Sequence, residues 1–166
     1  MTEIILRTIR YDDLEILNKW KNDKEVYKFL GGGYAPTSID EQKKWMDQMI
    51  DNSGKTKRFI IQLKDKPIGF IGLYDIHDIH RVCSLGLYIG EKQEWGKGYA
   101  SKAYKTIEEF AKNNLNIRKI KLEVVEDNKN AVLMYEKLGF KQCGKLIQER
   151  YIEGNYRNLI IMEKFI

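Results

Sequence analysis

Residues 93–104 read Gln-Glu-Trp-Gly-Lys-Gly-Tyr-Ala-Ser-Lys-Ala-Tyr, with glycines at 96 and 98 just before an amphipathic segment. If this segment is a loop opening a helix, the helix's first amides have no intrahelical partner. Gly96 and Gly98 leave those amides open to a ligand. The helix dipole then favours negative charge, and Lys97 either adds a cation or stays solvated. This is chemistry for a phosphate or pyrophosphate. A Walker loop needs GxxxxGK followed by Ser or Thr, which is absent. A dinucleotide fingerprint needs three glycines after an early strand. Here there are two, late in the chain, and Gly90 is too far upstream. Cys83 and Cys143 have no metal-ligand spacing and read as buried reduced thiols. His77 and His80 are three apart without a third ligand, so no metal is expected.

Composition narrows the classes. The chain has 166 residues and a formal charge of +5. It suits one domain over 1–166, with a mild preference for anionic ligands. No basic block predicts a nucleic-acid tail, and no apolar run approaches the roughly 20 residues of a membrane span. The N-terminus lacks a signal-peptide pattern, and the reading is a cytoplasmic protein.

The elements that must position the loop follow from periodicity and caps. Ile4–Thr8 reads as a strand. Asp12 or Asp13 caps a helix burying Leu14, Leu17 and Trp20. After a loop at Gly31-Gly32-Gly33-Tyr34, Ser38 and Glu41 make a capping box for a helix to about Ile50, with Trp45, Met46 and Met49 inward. Strands are expected at 58–63, 67–76 and 84–90. A helix over about Lys97–Lys112 turns Ala103, Tyr104, Ile107 and Ala111 inward. A strand at 119–125 precedes a helix opening near Asn128 with Ala131, Tyr135 and Leu138 on one stripe. Gly139 ends it. Two last strands, about Gly144–Ile152 and Tyr156–Phe165, flank a hairpin signal at Gly154-Asn155. The order βααβββαβαββ predicts an α/β (α+β) protein with one mixed, mostly antiparallel sheet of about seven strands and four helices.

Two motifs in this order resemble the GNAT superfamily of N-acetyltransferases: Q-x-x-G-x-G at Gln93–Gly98, and N-x-x-A-x-x-x-Y-x-x-x-G-F through Asn128, Ala131, Tyr135, Gly139 and Phe140. The opening LRTIRYDDLEILNKWKND and the closing GKLIQERYIEGNYRNLIIMEKF resemble the branch containing ribosomal-protein and spermidine acetyltransferases.

The resemblance implies acetyl-coenzyme A as donor, with its pyrophosphate on the amides around Gln93, Gly96, Lys97, Gly98, Tyr99 and Ala100. It implies that the fourth and fifth strands splay and that Leu87 and Ile89 pair with the pantetheine arm. An amide near Leu87 or Tyr88 polarises the thioester carbonyl. Asn128 either caps its helix or bonds the pantetheine, or does both. Tyr135 stands where the family has its general acid.

The transfer is direct, from a ternary complex. The acceptor is a primary amine: a polyamine, another small amine or amino sugar, or a protein N-terminus. Such an amine has a pKa of about 10, so a base must take its proton. The branch often carries A-E-L-G on its fourth strand, whereas this chain reads Cys83-Ser84-Leu85-Gly86, with Ser84 in the glutamate's place. Asp75, His77, His80 and Glu123 are the base candidates. The Gly31–Tyr34 loop is read as an acceptor gate. Tyr27, Phe29, Tyr34 and Trp45 are core or pocket, and Glu25, Asp40 and Glu41 are carboxylates available to a polyamine. The alternative is a catalytically silent acyl-CoA-binding sensor or scaffold. A monomer or homodimer is expected.

Overall fold

The computed structural model describes residues 3–166. Seven strands form one sheet: β1 (Ile4–Arg7), β2 (Lys57–Leu63), β3 (Lys66–His77), β4 (Val82–Ile89), β5 (Lys119–Val125), β6 (Lys141–Ile152) and β7 (Asn155–Phe165). Their order is β1-β2-β3-β4-β5-β7-β6. Every pairing is antiparallel except β4 with β5. Among the described residues five helices accompany it: α1 (Leu14–Lys21), α2 (Lys24–Tyr27), α3 (Ile39–Met49), α4 (Tyr99–Leu115) and α5 (Lys129–Lys137). None of them is long and apolar enough to cross a membrane.

Strand alternation divides the interior into two layers. Ile61, Ile71 and Leu73 turn toward Ala103, Tyr104 and Ile107 of α4. Ile60 and Phe70 turn the other way, toward Leu17 and Trp20 of α1 and Met46 of α3. Trp45 and Met49 are only partly buried, and Gln42 takes a buried place on α3. Ser38 and Glu41 do form the capping box that starts α3.

The structure adds α2, a single turn whose N-cap Asp23 accepts from the Glu25 amide at 3.0 Å. Before α1, a 3-10 turn occupies Tyr11–Asp13, and Asp13 makes no side-chain cap. Its buried carboxylate instead accepts from Arg7 Nη1 and Nη2 at 2.8 and 2.7 Å and from the Arg10 amide at 2.8 Å. That ties the end of β1 to the start of α1. The last hairpin turns at Glu153-Gly154, one residue earlier than expected. Both have positive φ, 50° and 83°, as a type I′ turn requires. Cys83 is buried, but Cys143 is exposed on β6, contrary to the sequence reading.

Gly90, just past β4, is fixed by a close approach. A Cβ there would lie 2.2 Å from the Trp20 ring. Trp20 also donates from Nε1 to Glu91 at 2.8 Å. Gly90→Ala is therefore expected to cost about 1–3 kcal/mol through overpacking, read as a lower denaturation midpoint. An unchanged midpoint would show that Trp20 has room to move.

Candidate active site

The site begins where the sheet comes apart. β4 and β5 pair only at Val82, Cys83 and Ser84 with Lys119, Ile120 and Lys121. Beyond that, Leu85–Ile89 pair with β3 alone and Leu122–Val125 with β7 alone. The Gly90 amide bonds the Ile68 carbonyl at 2.8 Å on the β3 side. Alternation then turns the backbone groups of Tyr88 toward β3 and those of Leu87 and Ile89 toward the gap. The Ile89 carbonyl already accepts from Trp95 Nε1 at 2.8 Å, so only its amide is free on that edge. Leu87 keeps both groups.

At one end of the gap lies the glycine loop. Gly96 and Gly98 have φ of 74° and 81°, and a Cβ on either would meet nothing within 4 Å. Backbone handedness, not crowding, requires glycine here. Helix α4 starts at Tyr99, two residues later than the sequence suggested. Its first hydrogen bond is donated by Lys102 to the Gly98 carbonyl at 3.1 Å. The amides of Tyr99 and Ala100 therefore stay open at the positive end of a 17-residue helix. Lys97 is not a free cation: its Nζ pairs with Glu94 at 3.0 Å. The Gln93 side chain donates to Glu91 at 2.7 Å. Glu91 also holds Lys19 and the Trp20 indole at 2.9 and 2.8 Å. Burial alone pushes this carboxyl upward, but the bonds from Lys19, Trp20 and Gln93 outweigh it and leave the pKa lowered. Helix α1 is thereby clamped onto the loop.

On the other layer a cavity of about 820 Å³ opens beside the gap. Tyr135 forms part of its wall, where α5 packs on the sheet. Its ring meets Phe140 edge-on at 5.6 Å, and the Phe140 amide bonds the Tyr135 carbonyl at 3.0 Å. Gly139 between them has a φ of 96°, the left-handed stop its position predicts. Burial raises the Tyr135 pKa, so the hydroxyl is protonated at neutral pH. Asn128 opens α5 without a side-chain cap and is half-buried, which leaves its amide available.

Ser84 also lines the cavity, and Tyr74 is its partner across β3 and β4. The register slips immediately after Tyr74, and Asp75 there has a φ of 50°. This bulge brings Asp75 to the cavity wall. Glu123 lines it too, but is paired with Arg150 at 3.2 Å. His77 and His80 stack on each other at 4.1 Å at the β3–β4 turn and are not part of the wall. Tyr27, Phe29 and Trp45 line the cavity, whereas Tyr34 is exposed. Gly31 and Gly32 contribute the rim, and Arg150 holds the Gly31 carbonyl at 3.1 Å. Arg150 and Lys21 are cavity residues that no local sequence signal announces. Both come from segments distant from the two motifs.

Burial also sets an alkaline limit on stability. It raises the pKa of Tyr88 and Tyr104, as it does that of Tyr135, and pushes the Cys83 thiol up to about 12. The unfolded chain releases these protons nearer 9 for the thiol and 10 for the phenols. Their stabilisation is thus complete below pH 9 and is lost as pH rises toward 12, by up to about 1.4 kcal/mol per pH unit per group. Urea midpoints at pH 8, 9.5 and 11 are expected to fall in that order. A flat profile would contradict the assignment.

The fold, with β4 and β5 parting after three residues, is that of an acyltransferase, as its family match shows. Residues 3–141 match the acetyltransferase (GNAT) domain family. The chain belongs to that family and is an N-acetyltransferase. Spermidine N(1)-acetyltransferase of Escherichia coli K12 is 28% identical over 157 residues, which cover 95% of this chain and 83% of that protein. The Vibrio cholerae spermidine N(1)-acetyltransferase is 27% identical over 171 residues, 99% of this chain and 96% of that one. The crystal structure of spermidine N-acetyltransferase from Vibrio cholerae in complex with CoA and spermine superposes with a TM-score of 0.89 at 27% identity. That match covers 98% of this chain and 95% of the other.

Proposed function

We propose that the protein transfers an acetyl group from acetyl-CoA to a small primary amine bound in the cavity lined by Tyr135. The observation that carries this reading is the gap between β4 and β5, with the Tyr135 wall beside it. The chain's groups suit acetyl-CoA: an unpaired strand edge for the pantetheine, the Asn128 amide beside it, and the Gly96–Ala100 amides for the pyrophosphate. Acetyl-CoA supplies an activated acyl carbon whose leaving group is a thiolate.

The remaining steps belong to side chains and backbone of this chain. The Leu87 N–H faces the gap and stabilises the oxyanion that develops as the amine adds. Tyr135 donates its hydroxyl proton to the departing sulfur. Ser84 cannot take the amine's proton without activation. Asp75, one residue past Ser84's cross-strand partner, supplies a carboxylate from β3 in its place. It receives the proton directly or through a water, with no covalent enzyme intermediate.

Thiol release from acetyl-CoA, followed across a panel of small primary amines with mass detection of the acetylated product, tests this reading. Turnover of at least one amine is expected. Stabilisation by acetyl-CoA in a thermal melt without turnover of any amine would instead support a silent acyl-CoA sensor. Gly98→Ala tests the loop. A left-handed alanine costs about 1–2 kcal/mol, and relieving it moves the amides. The KM for acetyl-CoA is expected to rise by about tenfold with kcat nearly unchanged. An unaltered KM would remove Gly98 from the pyrophosphate site.

A further inference from the structure

Among the described residues, the cavity wall carries more cations than anions, and two of the cations have no ion-pair partner. Lys21 ends α1 with its Nζ over the Tyr27 ring, 4.4 Å from the centroid. A Cβ on Gly32 would lie 3.9 Å from the same nitrogen, so the ammonium sits at the glycine rim of the cavity. Among the described residues no carboxylate lies within 4 Å of Lys21. Burial lowers its pKa, a sign that it has lost water without gaining a counter-charge. Lys121 of β5 also lines the cavity without an ion-pair partner among the described residues. Arg150 and Glu123 compensate each other. Among the described residues of the wall, only Asp75 is then left on the acidic side.

The carboxylates that the sequence offered to a polyamine are elsewhere. Glu41 closes the capping box of α3. Glu25 lies 3.6 Å from Lys92 outside the cavity. Asp40 is exposed on the first turn of α3 and is not part of the wall. A polyamine has two or more ammonium groups. One reacts as the free amine, and the others would face the unpaired Lys21 and Lys121, with only Asp75 to offset them.

We propose that the acceptor is a primary amine that also carries an anionic group, a carboxylate or a phosphate monoester, which Lys21 binds at the glycine rim while the amine reaches the β4 edge. This deepens the reading of the cavity as an amine acceptor site and rests on it. The anion completes the half-buried ammonium, for which the Tyr27 face is only a weak substitute. Lys121 of β5, also on the wall, adds attraction.

The test compares kcat/KM for matched amines with and without the anion: glucosamine 6-phosphate against glucosamine, phosphoethanolamine against ethanolamine, and β-alanine against its amide, with spermidine alongside. The anionic member of at least one pair is expected to exceed its neutral partner by about tenfold and to exceed spermidine. The phosphate and carboxylate pairs distinguish the two anions. Lys21→Met keeps the stem on Tyr27 and is expected to abolish the preference while acetyl-CoA still raises the melting temperature. Neutral amines or spermidine acetylated as well as or better than the anionic ones would overturn the proposal and leave the amine transferase reading intact. A preference that survives Lys21→Met would overturn the role of Lys21. No turnover of any amine, with acetyl-CoA still bound, would overturn both readings.

Discussion

Tyr135→Phe is expected to lower kcat by about 100-fold at saturating acetyl-CoA, with little change in the KM for acetyl-CoA. The effect is small for acid catalysis because a thiol has a pKa of about 8.5 and its anion leaves without much help. The variant is a clean probe. Phenylalanine keeps the edge-on contact with Phe140, and burial alone accounts for the shifted pKa of Tyr135, with no protein hydrogen bond to lose. The melting temperature is expected to stay near that of the parent. Because burial raises the Tyr135 pKa, loss of the acid by ionisation belongs above pH 10, and the wild-type rate should show no falling limb from Tyr135 below that. Equal kcat values for the two proteins would reduce Tyr135 to a packing residue.

Asp13→Ala is expected to cost about 3 kcal/mol of stability, from the lower part of the range for a broken buried pair. Asp13 is 3% exposed and accepts three hydrogen bonds, two from Arg7 and one from the Arg10 amide. The lower part applies because Arg7 is not stranded. It keeps Gln62 Oε1 and the Thr8 carbonyl as acceptors. For a chain of 166 residues that loss lowers the melting temperature by about 6–12 °C. Arg7→Ala and the double variant complete a cycle, whose coupling is expected to exceed about 1 kcal/mol. A change below about 1 kcal/mol for Asp13→Ala would mean that water replaces the carboxylate without penalty.

The sheet was legible because its strands alternate or run apolar between clear turns, and α4 and α5 because their stripes are long. Helix α2 was not, since four residues give no periodicity, and only Asp23 as a cap hints at it. The last turn lies one residue before the position its glycine suggests, because Gly154 serves equally as first or second member of a two-residue hairpin and nothing in Glu153 announces a positive φ. Cys143 is exposed because β6 is an outer strand, which composition does not reveal. In the site, the loop and the α5 stripe carry local signatures. The bulge at Asp75, the pairing of Lys97 with Glu94, and the reach of Lys21 and Arg150 to the cavity depend on registers between distant segments. Those registers are set by the whole sheet rather than by neighbouring residues.

The three-residue contact between β4 and β5 has a consequence for what can enter. A continuous sheet has two free margins, whereas this one has four: β1, β6 and the two inner walls of its own slit. Free margins attract other chains, and proteins usually block them with charge, proline or bulges. Here the barrier is thickness. An ordinary polypeptide strand projects side chains to both faces, and on one face they would meet the packed layer of α4. A slim guest with few branches meets no such obstacle. The slit is thus shaped for a guest of small cross-section, and the hydrogen bonds missing from the sheet are what leave room for one.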